Sequence, residues 1–180
     1  GDLSQDGTDD EWAAFEACYR TAFGDRLFVV RGNHDAYRGQ HRYAGDRWIT
    51  VPGLHVALLD TAIPTVTTGG LRDEQLAWLD DHLAGASASG ERTVVMGHHQ
   101  QWIAVGDGPE RRHADYFGLH PDASDALDAA CARHATVLGY TAGHTHRHRV
   151  RTMTVSGLPS IEPGMPPPAG TGLNRRSFML

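Results

Sequence analysis

Among the glycines followed at once by a side chain that can hold a metal ion, four stand out, three of them because they close a strand-like run. The pairs and runs are Gly1-Asp2, Gly32-Asn33-His34-Asp35, Gly97-His98-His99 and Gly143-His144-Thr145-His146. Three of them close an apolar run that reads as a strand: Arg26–Arg31, Thr93–Met96 and Thr136–Ala142. This repetition constrains the fold more than any other feature. In an α/β sheet the residues just beyond the strand ends gather along one edge, where ligands bind. A glycine before each polar cluster lets the chain turn sharply and lets backbone approach a bound group. A carboxylate, an amide oxygen and several imidazoles gathered there form a mixed oxygen and nitrogen set. Such a set suits Mn, Fe, Zn or Co rather than calcium, which prefers oxygen alone.

The remaining elements support the same class. Thr8-Asp9-Asp10-Glu11 is a capping box that opens a helix, along which Trp12, Phe15, Tyr19 and Phe23 recur as one apolar stripe until Gly24. Two strands, Trp48–Val51 and Leu54–Leu59, flank the Pro52-Gly53 turn. A second helix spans Leu71–Leu83, with Leu76, Leu79 and Leu83 on its core face, and a third runs from Pro121 to about His134. Between Gln100 and His120 no periodicity is evident, and a loop of that length is usually functional. Arg149–Val155 reads as a further strand, and 162–180 reads as a loose Pro- and Gly-rich tail after a domain spanning 1–161. Strands alternating with helices predict an α/β domain.

Composition removes several classes of function. The 180 residues carry 22 acidic and 16 basic side chains for a formal charge of −6, unlike a duplex-binding surface. Every basic residue is arginine, which excludes a lysine nucleophile, a Schiff base and a P-loop lysine. Cys18 and Cys131 form no C-x-x-C and read as free thiols of a reducing, cytoplasmic protein. No apolar run is long enough to span a bilayer. Arg147-His148-Arg149-Val150-Arg151 reads either as a sheet edge or as a phosphate-attracting rim, and Asp80-Asp81-His82 as solvated helix surface. Asn174-Arg175-Arg176 is a chance echo of an export motif.

Taken together, the four glycine-led blocks resemble four of the five signature blocks of the calcineurin-like metallophosphoesterases. Leu59-Asp60-Thr61 and Gln75-Leu76-Ala77-Trp78-Leu79 further resemble the class III cyclic-nucleotide phosphodiesterase branch. The resemblance implies a four-layer α/β/β/α sandwich holding two metal ions that share a bridging hydroxide. It implies that Asp2 bridges the ions, that Asn33, His98 and His144 complete one site, and that His146 belongs to the other. His34 would be the general acid, oriented by Asp35. His99 is open between touching substrate and supporting a ligand. The implied substrate is a small phosphodiester, a cyclic nucleotide among the candidates, with no nucleic-acid or membrane partner and the oligomeric state open. Trp102, Tyr116 and Phe117 would either form a lid that stacks a base or pack the long loop down. Asp6-Gly7 and the Asn33-His34-Asp35 block depart from the protein Ser/Thr phosphatase pattern, and Gln5 stands where purple acid phosphatases place a ligand tyrosine.

The family's opening Asp-x-His block has no counterpart at a strand end in this sequence. The expectation is therefore a domain truncated at its N-terminus and altered at its C-terminus, with one metal site complete and the other reduced to Asp2 and His146. The competing expectation is a fragment or pseudoenzyme that binds at most one metal and catalyses little.

Overall fold

A computed structural model describes residues 1–102 and 117–163. Tyr116 and the tail from 164 onward, with its Asn174-Arg175-Arg176 motif, lie outside the described residues.

The centre of the fold is a six-stranded mixed sheet in the order β1-β2-β3-β4-β6-β5. The hairpin of β1 (Arg47–Val51) and β2 (Leu54–Leu59) turns at Gly53, whose φ of 77° suits glycine. Strands β3 (Arg92–Gly97) and β4 (Val137–Thr141) continue the sheet parallel to β2, as expected for crossovers that carry helices. The edge is completed by β6 (Pro159–Glu162), parallel to β4, and by β5 (Arg149–Thr152), antiparallel to β6. Only the last residue of β6, Glu162, falls in the segment 162–180 that was expected to be a loose tail. Pro159 is its first residue, the one strand position that needs no ladder N–H. Arg149 and Arg151 thus lie on an edge strand, one of the two settings expected for that basic cluster.

One sheet face is covered by α4 (Asp73–Ala88) and α5 (Pro121–Ala132). Ala57, Leu59, Val95 and Tyr140 from the strands meet Leu79, Leu83, Leu127 and Cys131 from the helices in the main core. The Asp80 side chain is not merely solvated: it pairs with Arg133 at 2.9 Å and His134 at 2.7 Å, fastening α4 to the end of α5. His82 lies against the rings of Trp48 and Trp78.

The α/β class is as expected. Of the anticipated four-layer α/β/β/α sandwich, the described residues show one sheet with α4 and α5 packed on one of its faces. Within Arg26–Arg31, read as a strand, Arg26 closes a 3-10 turn, Leu27 is extended, and the segment 27–31 pairs with no described strand. It crosses the second face instead: Phe28, Val29 and Val30 share a cavity wall with Leu58, Met96 and Thr141 of β2, β3 and β4. Free ladder groups exist only at β1 and β5, so a segment over the middle of the sheet has none to join.

Near the start of the chain, α1 (Asp9–Phe15) opens on the expected capping box, with Glu11 N–H donating to Thr8 Oγ1 and Thr8 N–H to Glu11 Oε2. Trp12 and Phe15 are buried against Val29. The helix then widens into a π-helical turn over Glu16–Arg20 before a final α turn, α2 (Thr21–Phe23). One extra residue in a turn rotates the downstream side chains by about 100°. The single apolar stripe therefore breaks, and Tyr19 and Phe23 emerge 49% and 48% exposed.

Among the described residues, no helix is long and apolar enough to cross a membrane.

Candidate metal centre

The glycine-led blocks do converge. Gly32 caps α3 (Asn33–Ala36), His98 follows the end of β3, and His144 lies three residues beyond β4. The Gly143 N–H donates to the His98 carbonyl at 3.0 Å, which holds those two strand ends together. His98 Nε2 lies 3.0 Å from Asn33 Oδ1, 3.1 Å from His144 Nδ1 and 3.3 Å from Asp2 Oδ1. A Cβ at Gly32 would overlap Asp2 and the His98 ring, so only glycine allows this approach.

Two of these side chains, Asn33 and His144, are aimed by a partner on the other side. Asn33 Nδ2 donates to the Tyr37 hydroxyl at 2.7 Å, which turns Oδ1 toward His98. His144 Nε2 lies 2.9 Å from the Phe117 carbonyl. A carbonyl can only accept, so Nε2 carries the hydrogen and Nδ1 keeps its lone pair. Asp2, His144 and His146 all adopt positive φ, at 52°, 68° and 53°. Left-handed backbone at non-glycine residues is costly and persists where surrounding structure imposes it, commonly at functional sites.

The donor set fits a divalent transition ion. Asn33 Oδ1, His144 Nδ1 and Asp2 Oδ1 each stand 3.0–3.3 Å from His98 Nε2, roughly the separation of neighbouring ligands bound at about 2.0–2.2 Å. Burial, then the neighbouring imidazole, pushes His144 down to about 4, and burial also lowers His98. Burial opposes ionisation of Asp2, but the His98 hydrogen bond and the His34 N–H outweigh it and bring that carboxyl to about 2. Neutral imidazoles beside an ionised carboxylate are the protonation states that metal binding requires.

His99 sits in the same cluster, with a ring nitrogen within 4.8 Å of those of His98 and His144 and ring centroids 4.8 and 4.7 Å away, but its nitrogens are engaged elsewhere. Its Nε2 lies 3.1 Å from the Thr67 carbonyl and its Nδ1 2.8 Å from Thr61 Oγ1. Nε2 therefore donates and Nδ1 accepts from the hydroxyl, leaving no lone pair for an ion. Burial, then the two neighbouring imidazoles, drives its pKa down to about 2. Of the two roles left open for His99, this geometry matches support of the ligands.

Asp35 also differs from expectation. Its fully buried carboxylate accepts from Leu3 N–H at 3.0 Å, Ser4 N–H at 2.8 Å, Ser4 Oγ at 2.7 Å and Gly32 N–H at 2.8 Å. Those four bonds fasten the Asp2–Ser4 segment to Gly32, and none of them reaches the His34 ring to orient it. That task falls to the Gln5 carbonyl, 2.6 Å from His34 Nδ1. His34 and Asp2 line a cavity of about 530 Å³ together with His146, Phe15 and Tyr19. His146 is thus on the wall of the same cavity, outside the cluster around His98.

Of the lid residues, Phe117 sets its ring edge-on against His144 at 4.9 Å, while the Trp102 carbonyl accepts from Ser124. Behind the site, Arg31 is buried against Asp60 at 2.9 Å, tying the residue before Gly32 to the one before Thr61.

Comparison with known proteins gives a consistent picture. The calcineurin-like phosphoesterase family model matches residues 1–148. A probable cyclic nucleotide phosphodiesterase of a Synechococcus strain is 29% identical over 155 residues, covering 82% of this chain and 56% of that protein. The 3',5'-cyclic adenosine monophosphate phosphodiesterase CpdA of Pseudomonas aeruginosa is 30% identical over 111 residues, 59% of this chain and 39% of that protein. This chain therefore spans about half, or less, of the length of these curated relatives. The crystal structure of a dimetal phosphatase from Danio rerio superposes with a TM-score of 0.65 at 19% identity, covering 86% of this chain and 65% of the other.

Proposed function

The chain belongs to the calcineurin-like phosphoesterase family, and from that premise we propose that it hydrolyses a small phosphodiester, with Asp2, Asn33, His98 and His144 holding a divalent metal and His34 acting as general acid. The observation that carries this reading is the convergence of three further lone-pair donors on His98 Nε2 within 3.3 Å. The relatives' names favour a diester, with cyclic nucleotides the first substrates to test.

When bound, a divalent ion supplies Lewis acidity that activates water near neutral pH and offsets charge on the phosphoryl oxygens. Mn, Fe, Zn and Co all suit this donor set. The chain's own residues do the rest. Asp2, Asn33, His98 and His144 bind and orient. His34 holds its Nδ1 hydrogen on the Gln5 carbonyl, so the proton that it can give away is the one on Nε2. The departing alkoxide needs that proton, and a positioned imidazole can supply it as a general acid. The Asp35 clamp keeps Asp2 and Gln5 on one short segment in register with Gly32.

One complete donor set, with His146 outside it, favours loading of one ion over two. The test is His34→Ala in the Mn²⁺-loaded protein, assayed on bis(4-nitrophenyl) phosphate and on 3',5'-cyclic AMP. Turnover is expected to fall at least about a hundredfold on the diester while bound manganese is unchanged. Turnover equal to that of the unaltered protein would reject His34 as the acid. An unaltered protein that binds manganese yet hydrolyses neither diester would favour the pseudoenzyme instead.

A further inference from the structure

The π-helical turn has no part in the metal centre. It costs the first helix its regularity and brings Tyr19 out of the core. A half-exposed tyrosine alone would be ordinary. Its surroundings are not. Tyr19 and Phe15 line the same cavity of about 530 Å³ as Asp2 and His34, a volume in the range of small-ligand sites. The two rings are stacked, with centroids 5.1 Å apart and planes inclined by 28°, and Phe15 is in turn anchored edge-on against buried Trp12 at 6.3 Å. The turn itself is pinned from outside. The Tyr43 hydroxyl donates to Glu16 Oε1 at 3.0 Å and accepts from Arg20 Nη2 at 3.4 Å, and both residues belong to the π turn. Tyr19 is thus a rigid aromatic surface beside the phosphoryl site, with little ordering left to lose when a ligand covers it.

We propose that the Phe15–Tyr19 wall is a substrate subsite that selects phosphoesters carrying a flat aromatic group, of the size and shape of a nucleobase. The inference rests on the phosphoesterase reading and narrows its substrate class. Of the polar groups on the wall, Glu11 is spent on capping α1, through Thr8 and the Asp6 N–H. The Phe15–Tyr19 rings themselves offer stacking, which predicts preference for an aromatic group over an aliphatic one.

The test is ligand binding to the full Mn²⁺-loaded chain by calorimetric titration, with inorganic phosphate, glycerol 3-phosphate and adenosine 5'-monophosphate as probes. The expected result is that the adenosine nucleotide binds about five- to tenfold more tightly than glycerol 3-phosphate. Tyr19→Ala should erase that difference and leave the affinities for phosphate and glycerol 3-phosphate unchanged, while Tyr19→Phe should restore it. A control melting curve checks that Tyr19→Ala, a change at a half-exposed residue, remains folded. Equal affinities in the unaltered protein, or a preference that survives Tyr19→Ala, would overturn the subsite and leave the phosphoesterase reading intact. Failure of all three probes to bind would overturn both.

Discussion

Replacing Asp35 by asparagine separates two accounts of this residue. The buried carboxylate accepts four hydrogen bonds, two on each oxygen: Ser4 N–H and Oγ on Oδ1, Leu3 and Gly32 N–H on Oδ2. An amide has the same shape but turns one oxygen into a donor. The cheaper placement puts Nδ2 beside Ser4, whose hydroxyl can rotate to accept, so the Ser4 N–H is the group left facing a donor. That orphan costs about 1–3 kcal/mol, and the remaining bonds weaken once their acceptor is neutral, so the total loss is about 2–4 kcal/mol. For a chain of this size the melting temperature should drop by roughly 5–15 °C. Because the lost bonds hold Asp2–Ser4 against Gly32, metal affinity should fall with it. Thermal melts of the metal-free protein and manganese titrations would measure both. If Asp35→Asn melts within about 2 °C of the unaltered protein and binds manganese equally well, but shifts the pH dependence of turnover, the clamp is wrong and Asp35 acts on His34 after all.

Two further outcomes rest on the same bonding pattern. Burial pushes the Cys131 thiol up to about 12 while Cys18 is exposed, so a thiol reagent at neutral pH should label Cys18 in the folded protein and reach Cys131 only on unfolding. Rapid labelling of both would contradict the packing of α5. Asp80 is held below its usual range, first by the His134 hydrogen bond and then by Arg133. Its folded pKa lies below its unfolded one, so its contribution is complete above about pH 4 and disappears as pH falls through the folded value. Asp80→Asn should therefore flatten the acid limb of a stability-against-pH curve, and an unchanged limb would remove the α4–α5 clamp.

The features legible in the sequence were local in character. The Thr8/Glu11 capping box, the Pro52-Gly53 hairpin and the glycine-led clusters are short-range signals, and each has its counterpart in the fold. The features hidden from it depended on groups without a side-chain signature. The carbonyls of Gln5, Thr67 and Phe117 orient His34, His99 and His144, yet any residue type supplies a carbonyl. The bonding of Asp35 is obscured by its place next to His34, because two of its three partner residues, Ser4 and Leu3, lie 31 and 32 residues away. Tyr19 kept helical spacing with Phe15, so nothing in the pattern marked the extra residue of the π turn. Only the structure shows Tyr19 leaving the core for the wall of the cavity that Asp2 and His34 also line.

The central claim is that Asp2, Asn33, His98 and His144 form a metal site from which His99 is excluded. Metal content per chain, measured by mass spectrometry after loading with Mn²⁺ and desalting, tests it most directly. The expected result is about one ion per chain, lost in His98→Ala and His144→Ala but retained in His99→Gln. Manganese that survives removal of His98 and His144, or that disappears with His99→Gln while the protein remains folded, would contradict the claim.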